Sequence, residues 1–353
     1  MVFGSKRRRE PPQSEIYPEG MEEGVVLVLN HQEVEALLDL DRLIQALEPA
    51  MVDLSAGRVS MPSRVTVEVR DQHGFLLSMP VYLPSPETLS TKLVSLFPAN
   101  ADTDVPTHQA VTVVFDAASG SPVALLDATH ITAMRTAAGS ALATRLLARP
   151  EADVLVIVGT GVQARAHAQA IPRVRPVREI RVVGRHMPKA QALADEIARH
   201  QGIATTAGTS FRDAAAGAGI VCATTHSPTP VVFGRWLEPG THVNSVGMNP
   251  QGGELDTDTV VRSLIVVESR QAALAPPPSG ASDLVRRLQD GTITEAHIHA
   301  EVGELLSGAR PGRTSAAQTT LYKSVGVAVQ DAVAARLVLD AARQGSVGTE
   351  VVV

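Results

Sequence analysis

The chain has 353 residues, enough for two domains with sizeable cores at roughly 100 to 200 residues per domain. Hydrophobic residues make up 44% and charged residues 19%, with 27 Gly and 23 Pro, a mix that excludes collagen-like and wholly disordered chains. Thirty-one basic against 37 acidic side chains leave a net charge of −6, which argues against a general nucleic-acid binder, because phosphate binding draws most of its affinity from a cationic face.

Cys222 stands alone, so an internal disulfide is excluded, and so is a thiolate zinc site built on Cys-x-x-Cys pairs. A reducing compartment fits. The basic run Lys6 to Arg9 is followed by Glu10-Pro11-Pro12-Gln13, where a secretory signal needs an apolar core, and residues 1–22 read as a solvated tail. No stretch approaches 18 uninterrupted apolar residues, so no membrane partner is expected and the protein reads as cytoplasmic.

In chain order, the β-branched run at 24–30 predicts a strand and the amphipathic stretch from about Glu33 to Leu54 a helix. Short runs at Arg64 to Val69, Phe75 to Met79, Thr91 to Phe97 and Ala110 to Phe115, punctuated by Gly, Pro and Asp, predict antiparallel strands. This first unit is α+β. An alanine-rich helix follows from about Thr132 to Leu147, and Val154-Leu-Val-Ile-Val-Gly159 is wholly apolar, like a strand buried on both faces of a parallel sheet. Helices at 162–172 and 188–200 then alternate with strands at Glu179 to Gly184, Gly219 to Thr225, His242 to Gly247 and Leu264 to Glu268, a doubly wound α/β pattern. Pro276-Pro277-Pro278 marks a surface loop. A last long helix is predicted from about Ser324 to Arg343.

Gly159-Thr160-Gly161-Val162-Gln163-Ala164 ends the apolar strand and opens a helix, the context in which GxGxxA signals dinucleotide binding. Gly159 permits the tight turn, Gly161 lets the backbone approach a pyrophosphate, and Ala164 allows close helix-to-strand packing. Backbone N–H groups at the helix start face the anion. In the usual NAD site a carboxylate at the end of the second strand accepts a hydrogen bond from the ribose 2′-hydroxyl. Here that strand ends Val182-Val183-Gly184-Arg185-His186, with no carboxylate. Arg185 suits a 2′-phosphate instead, so NADP is preferred over NAD.

Several spaced motifs carry a further signal: Met61-Pro62-Ser63-Arg64, Met79-Pro80, Thr91-Lys92, Pro106-Thr107-His108-Gln109, Ile131 to Ala138 around Arg135, Glu254-Leu255-Asp256 and Leu321-Tyr322-Lys323-Ser324-Val325-Gly326. Together with the glycine turn, and in order from about residue 25 to 343, they resemble the ornithine cyclodeaminase/mu-crystallin family. The resemblance implies a Rossmann dinucleotide-binding domain (137–320) inserted into a discontinuous α+β substrate-binding and dimerisation domain (23–136 plus 321–353). It implies a homodimer with catalysis in the cleft between domains. Arg64, Lys92 and Arg135 match the family's substrate-binding cations, and the chemistry agrees: an α-carboxylate in a partly dry cleft needs paired, charge-assisted donors. Lys92 also suits proton delivery at the C–N centre, since a buried ammonium beside two guanidinium groups has a lowered pKa. Clamp and acid stay open. Thr107 and Ser324 correspond to positions near the nicotinamide end of the cofactor, and Thr224 lies in a loop beside the dinucleotide.

Two departures bear on the reaction. Where cyclodeaminases of the family carry a glutamate two residues before Met-Pro, this chain has Leu77. Where they carry a catalytic aspartate, the segment Val246 to Glu254 is one residue shorter and Asn249 falls closest. Neither can act as the base that cyclodeamination of a diamino acid needs. The expectation is an NAD(P)H-dependent oxidoreductase that reduces a small cyclic imino carboxylate, such as Δ1-pyrroline-2-carboxylate, or oxidises the corresponding amino acid. Ornithine or lysine cyclodeaminase is the alternative, with Glu254 or Asp256 as substitute base, although a Glu-Leu-Asp-Thr-Asp helix start reads more simply as capping. An NADPH-regulated ligand carrier is the third reading.

No metal site is expected. His297 and His299 stand two apart beside Glu301, whereas ligands on a helix are usually four apart. His108 reads as a substrate or cofactor neighbour or as a structural group. No GxSxG elbow exists, and Cys222, inside an apolar strand, should be inert.

Overall fold

Two sheets realise the change of texture along the chain, in a computed structural model that describes residues 24–353. The tail expected at 1–22 lies outside the described residues. Strand β1 (Val25–Leu29) ends at Asn30, which caps helix α1 (His31–Leu37) in a reciprocal box with Glu33. The amphipathic stretch expected as one helix is two. Leu38 turns extended, and the Asp39 carboxylate accepts from the Arg42 N–H at 2.8 Å to start α2 (Leu40–Ser55).

The predicted antiparallel strands follow as β2 (Val65–Val69), β3 (Gly74–Pro84), β4 (Glu87–Leu96) and β5 (His108–Phe115), joined by an unpredicted β6 (Pro122–Asp127). The first sheet has the order β15-β1-β6-β5-β4-β3-β2, where β15 (Thr349–Val352) is the C-terminal strand; β1 runs parallel to β6 and the other neighbours are antiparallel. One face, with Leu77, Met79, Val81 and Leu83 of β3, is buried. The opposite face leaves Val65, Val67, Leu76 and Val111 exposed.

Helix α3 (Thr129–Leu147) leads into the second sheet, its alanines and Gly139 admitting close neighbours on nearly every side. Then come β7 (Val154–Val158), α4 (Val162–Ala170), β8 (Glu179–Val183), α5 (Met187–Gln201), β9 (Ala204–Gly208), α6 (Phe211–Ala215), β10 (Ile220–Ala223) and β11 (His242–Ser245). The chain continues through α7 (Thr257–Arg262), β12 (Leu264–Val267), α8 (Arg270–Ala273), α9 (Ser282–Gln289), β13 (Ile298–Glu301), α10 (Val302–Leu306) and β14 (Thr320–Lys323). All eight strands are parallel, in the order β13-β12-β14-β11-β10-β7-β8-β9. This is a Rossmann-type sheet, as expected. From β7 the chain winds out to β8 and β9 and then returns to β10 on the other side, so a crevice opens at the carboxyl ends of β7 and β10.

The boundary expected at residue 320/321 falls inside β14, which pairs with β11 and β12 in the parallel sheet. Its two polar residues, Thr320 and Lys323, masked a fully buried strand. Helix α11 (Ala328–Gly345) then returns to the first sheet beside α2 and α3.

Candidate active site

The three cations predicted from separate motifs come together between the two sheets. Lys92 stands on the buried face of β4, Arg135 on α3, and Arg64 on the segment before β2. Lys92 Nζ and Arg135 Nε both donate to Asp331 Oδ1 of α11, at 2.9 and 3.1 Å, and Arg135 Nη1 donates to Gln330 Oε1 at 3.0 Å. Arg64 Nη2 donates to the carbonyls of Val325 and Gly326 at 3.2 and 2.8 Å. Gly326 joins the two arginines: its φ is +73°, and a Cβ there would lie 2.3 Å from Arg135 Nη1. A small pocket of about 40 Å³ opens beside Arg64, lined by Met61, Met79, Gln271, Ser279 and Gly326 among others.

Asp331 was not singled out from the sequence, and it sets the electrostatics. Burial pushes the Lys92 ammonium down to about 8 against the opposing pull of Asp331, with Arg135 and Arg64 adding to the depression. Burial alone would raise the Asp331 carboxyl, but Arg135 and Lys92 hold it below its usual value. Burial and then Arg135 also lower Arg64, opposed by Glu268 and Asp331. Against three cations stands one directly bonded carboxylate, and its Oδ2 has no hydrogen-bond partner although it is buried. Three cations set against Asp331 and, at Arg64, Glu268 make a buried cluster whose chemistry suits an anion. The one available signal in the sequence was Gln330-Asp331 interrupting an otherwise apolar helix face.

A second buried carboxylate, Glu268 after β12, shapes the turn that receives Arg64. It accepts from the N–H groups of Val325 and Gly326 at 3.1 and 3.0 Å and from Ser324 Oγ. The Ser324 hydroxyl, expected at the cofactor, therefore serves this turn. The parallel sheet thus positions the cations of the first unit.

At the crevice, the glycine turn has the form its motif implies. Gly159 has φ +125°, and a Cβ there would lie 2.6 Å from Thr224 Oγ1, which donates to the Val158 carbonyl at 2.9 Å. Any larger residue is both strained and blocked. A Cβ on Gly161 would meet nothing within 4 Å, so the space before it is open. Helix α4 begins there without a side-chain cap, leaving its first N–H groups available, Val162 is exposed, and the buried Gln163 Oε1 lacks a partner. Ala164 is fully buried against the strand. Thr160 is half-buried at the turn. Arg185, just beyond β8, is exposed and makes no ion pair among the described residues. An open cradle with free backbone donors fits the pyrophosphate of a dinucleotide.

Thr107 Oγ1 pairs with His108 Nδ1 at 3.1 Å on the rim. Partial desolvation, then His226 and Lys92, lower the His108 imidazole.

Asn249, expected where a catalytic aspartate is missing, is tied at both ends of its amide: Nδ2 donates to the His226 carbonyl at 3.0 Å and Oδ1 accepts from the Gln251 N–H at 2.9 Å. These bonds brace the loop. Asp256 caps α7 as expected, accepting from the Thr259 N–H at 2.8 Å. Glu254 is not a cap. It is buried and accepts from the Thr225 N–H and Oγ1, Ser245 Oγ and the Gly247 N–H at 2.7 to 2.9 Å, stapling the loops after β10 and β11. Every near bond being filled, it is not poised as a substitute base. Leu77 adds only apolar surface to the buried face of β3.

The remaining decoys resolve simply. His297 Nδ1 accepts from the Thr294 N–H, and His299 Nε2 lies 2.8 Å from the Pro311 carbonyl, so they share no ligand site. Burial pushes the Cys222 thiol up to about 12. Among the described residues no helix is long and apolar enough to cross a membrane.

A glycine-turn crevice in a parallel sheet and a buried cluster of cations are the parts of a nicotinamide-dependent oxidoreductase acting at a C–N bond. The chain belongs to the ornithine cyclodeaminase/mu-crystallin family, whose model matches residues 25–346. It is 38% identical to ketimine reductase mu-crystallin of Mus musculus over 86% of this chain and 93% of that protein. It is 33% identical to a Δ1-pyrroline-2-carboxylate reductase of Bacillus cereus over 92% and 99%. Among solved structures, the Thermococcus litoralis Δ1-pyrroline-2-carboxylate reductase with NADH and L-proline superposes with a TM-score of 0.89 at 37% identity, covering 92% of this chain and all of that one. An archaeal alanine dehydrogenase dimer with bound NAD gives 0.86 at 29%, covering 93% and 99%.

Proposed function

We propose that this chain reduces a small cyclic ketimine carboxylate of the Δ1-pyrroline-2-carboxylate type, with NADPH preferred over NADH. The observation that carries the reading is that Lys92 and Arg135 share the single buried carboxylate of Asp331 while Arg64, held beside them on the Val325 and Gly326 carbonyls, has no directly bonded counter-ion among the described residues, which leaves positive charge for a substrate carboxylate. Bound at the glycine turn, the dinucleotide supplies a hydride. Arg64 and Arg135 hold the substrate carboxylate, and the Lys92 ammonium gives the proton that the ring nitrogen gains as its C=N bond becomes C–N. With a pKa near 8, Lys92 is charged at neutral pH and still a competent acid. Gly159, Thr160, Gly161, Val162, Gln163 and Ala164 would form the pyrophosphate cradle, Thr224 and Thr107 would flank the nicotinamide side, and Arg185 would pair with the 2′-phosphate. Asn249 and Ser324 act indirectly, by holding the loops they brace. The apolar Leu77 and the tied Asn249 disfavour cyclodeamination, which needs a second base.

We also place the substrate-binding unit at 23–136 with the C-terminal helix and strand, and the dinucleotide unit between them through β14. The open sheet face with Val65, Val67, Leu76 and Val111 supports a homodimer formed through the first sheet. Lone, buried Cys222 fits a cytoplasmic setting.

The test follows NADPH absorbance with Δ1-pyrroline-2-carboxylate and identifies the product. Proline formed stoichiometrically with NADP is expected. Release of ammonia from ornithine with catalytic NAD, or tight NADPH binding without turnover on any imino acid, would overturn the reading.

A further inference from the structure

A second group of titratable side chains lies outside the reaction site, at the joint where β1 enters α1 and β6 enters α3. His31 and Glu35 stand one helical turn apart on α1, and His130 lies in the first turn of α3, 99 positions further along the chain. One ligand atom from each of the three lies within 4.8 Å of the other two. His31 Nε2 is 4.0 Å from Glu35 Oε2, too far for a hydrogen bond. The rings of His31 and His130 meet edge to face with centroids 5.9 Å apart.

A fourth residue gives the group its chemistry. Asp127 Oδ1 lies 3.1 Å from His31 Nδ1, and the same carboxylate accepts from the N–H and Oγ1 of Thr129, which fixes it. A carboxylate on Nδ1 keeps that nitrogen protonated and leaves the Nε2 lone pair directed outward, the arrangement that orients metal-binding histidines. Neither His31 Nε2 nor His130 has a hydrogen-bond partner among the described residues, whereas His297 and His299 are each tied to the backbone.

We propose that His31, Glu35 and His130 form a binding site for a divalent transition metal, Zn²⁺ by preference, with Asp127 orienting His31. Two imidazoles and one carboxylate are a zinc donor set, with a fourth position left for water. Bond lengths of about 2.0 to 2.2 Å place tetrahedral ligand atoms roughly 3.3 Å apart. The required closure is within reach of Glu35, whose side chain is 61% exposed. The bound ion would pin α1 to the start of α3.

Zinc chloride titrated calorimetrically into the chelator-treated full chain tests this. One Zn²⁺ per chain is expected, with a rise in melting temperature. The double variant His31→Ala/His130→Ala should bind at least a hundredfold more weakly and lose the thermal shift, and Asp127→Asn should weaken binding ten- to a hundredfold. Circular dichroism of the metal-free variants checks folding, and Glu35→Gln replaces the double variant if that fails. No zinc bound by the wild type, or less than a tenfold loss in the ligand variants, overturns the site.

Discussion

Among the described residues two lysines are fully buried on carboxylates, and they differ in what else they touch. Lys323 Nζ donates to Asp283 Oδ2, Ser245 Oγ and the Gly247 carbonyl at 2.7 to 2.9 Å, while Asp283 Oδ1 accepts from the Leu255 N–H. All three ammonium protons are used. Lys92 Nζ has Asp331 Oδ1 alone, shares it with Arg135, and leaves Asp331 Oδ2 unpartnered. Both pairs are equally dry, so burial does not separate them. The saturated pair stitches β14 to α9 and the loop after β11; the unsaturated pair keeps donors free for a ligand.

The sharpest way to break this contrast is to remove each lysine. Lys92→Met should lower kcat for imine reduction by roughly 10²- to 10⁴-fold, the usual range for a general acid. Lys323→Met should destabilise the fold by about 3–5 kcal/mol, because Asp283 is left buried and unpaired. Its folded fraction should keep kcat within about fivefold, since the residue binds no substrate. Steady-state kinetics beside denaturant unfolding reads both, and equal kinetic losses would erase the distinction.

Occupancy of the cofactor cradle is the next expected effect. Gly161→Ala should fold normally, its Cβ meeting no protein atom, yet weaken NADPH binding about tenfold or more by intruding on the pyrophosphate. Arg185→Ala should weaken NADPH several-fold and leave NADH unchanged, as fluorescence titration would show.

The pH profile is subtler. Proton donation needs charged Lys92, so activity should be full below about pH 8 and fall as pH rises through that value. Asp331 raises the Lys92 pKa, so Asp331→Asn should move this alkaline limb to lower pH; an unmoved limb would assign it to another group. The smallest effect belongs to Asn249→Ala. If its amide only braces the loop, kcat should change by less than about threefold, whereas a loss near a hundredfold would restore it to the chemistry.

Much of this was legible in the chain because local rules suffice for it. Apolar continuity marked β7, glycine placement marked the turn, and the expected Rossmann sheet is there. Strands with mixed composition escaped: β9, β13 and β14 carry polar residues whose partners come from elsewhere, such as Thr320 beside His242 and Lys323 on Asp283. The helix expected at Glu33 to Leu54 split at Asp39 because a capping bond outweighs continued periodicity.

The residues that bear charge at the candidate site could likewise be named, since the family resemblance singled out Arg64, Lys92 and Arg135. Their counter-ions could not. Asp331 lies 239 positions from Lys92, and Glu268 acts through a turn on another strand. Sequence determined which units form and which groups are present, because hydrogen bonding and side-chain periodicity within a segment are short-range. Tertiary structure alone decided which charges are neutralised, since electrostatics in a dry interior depends on distance in space, and that is set by packing α11 against α3 and β4.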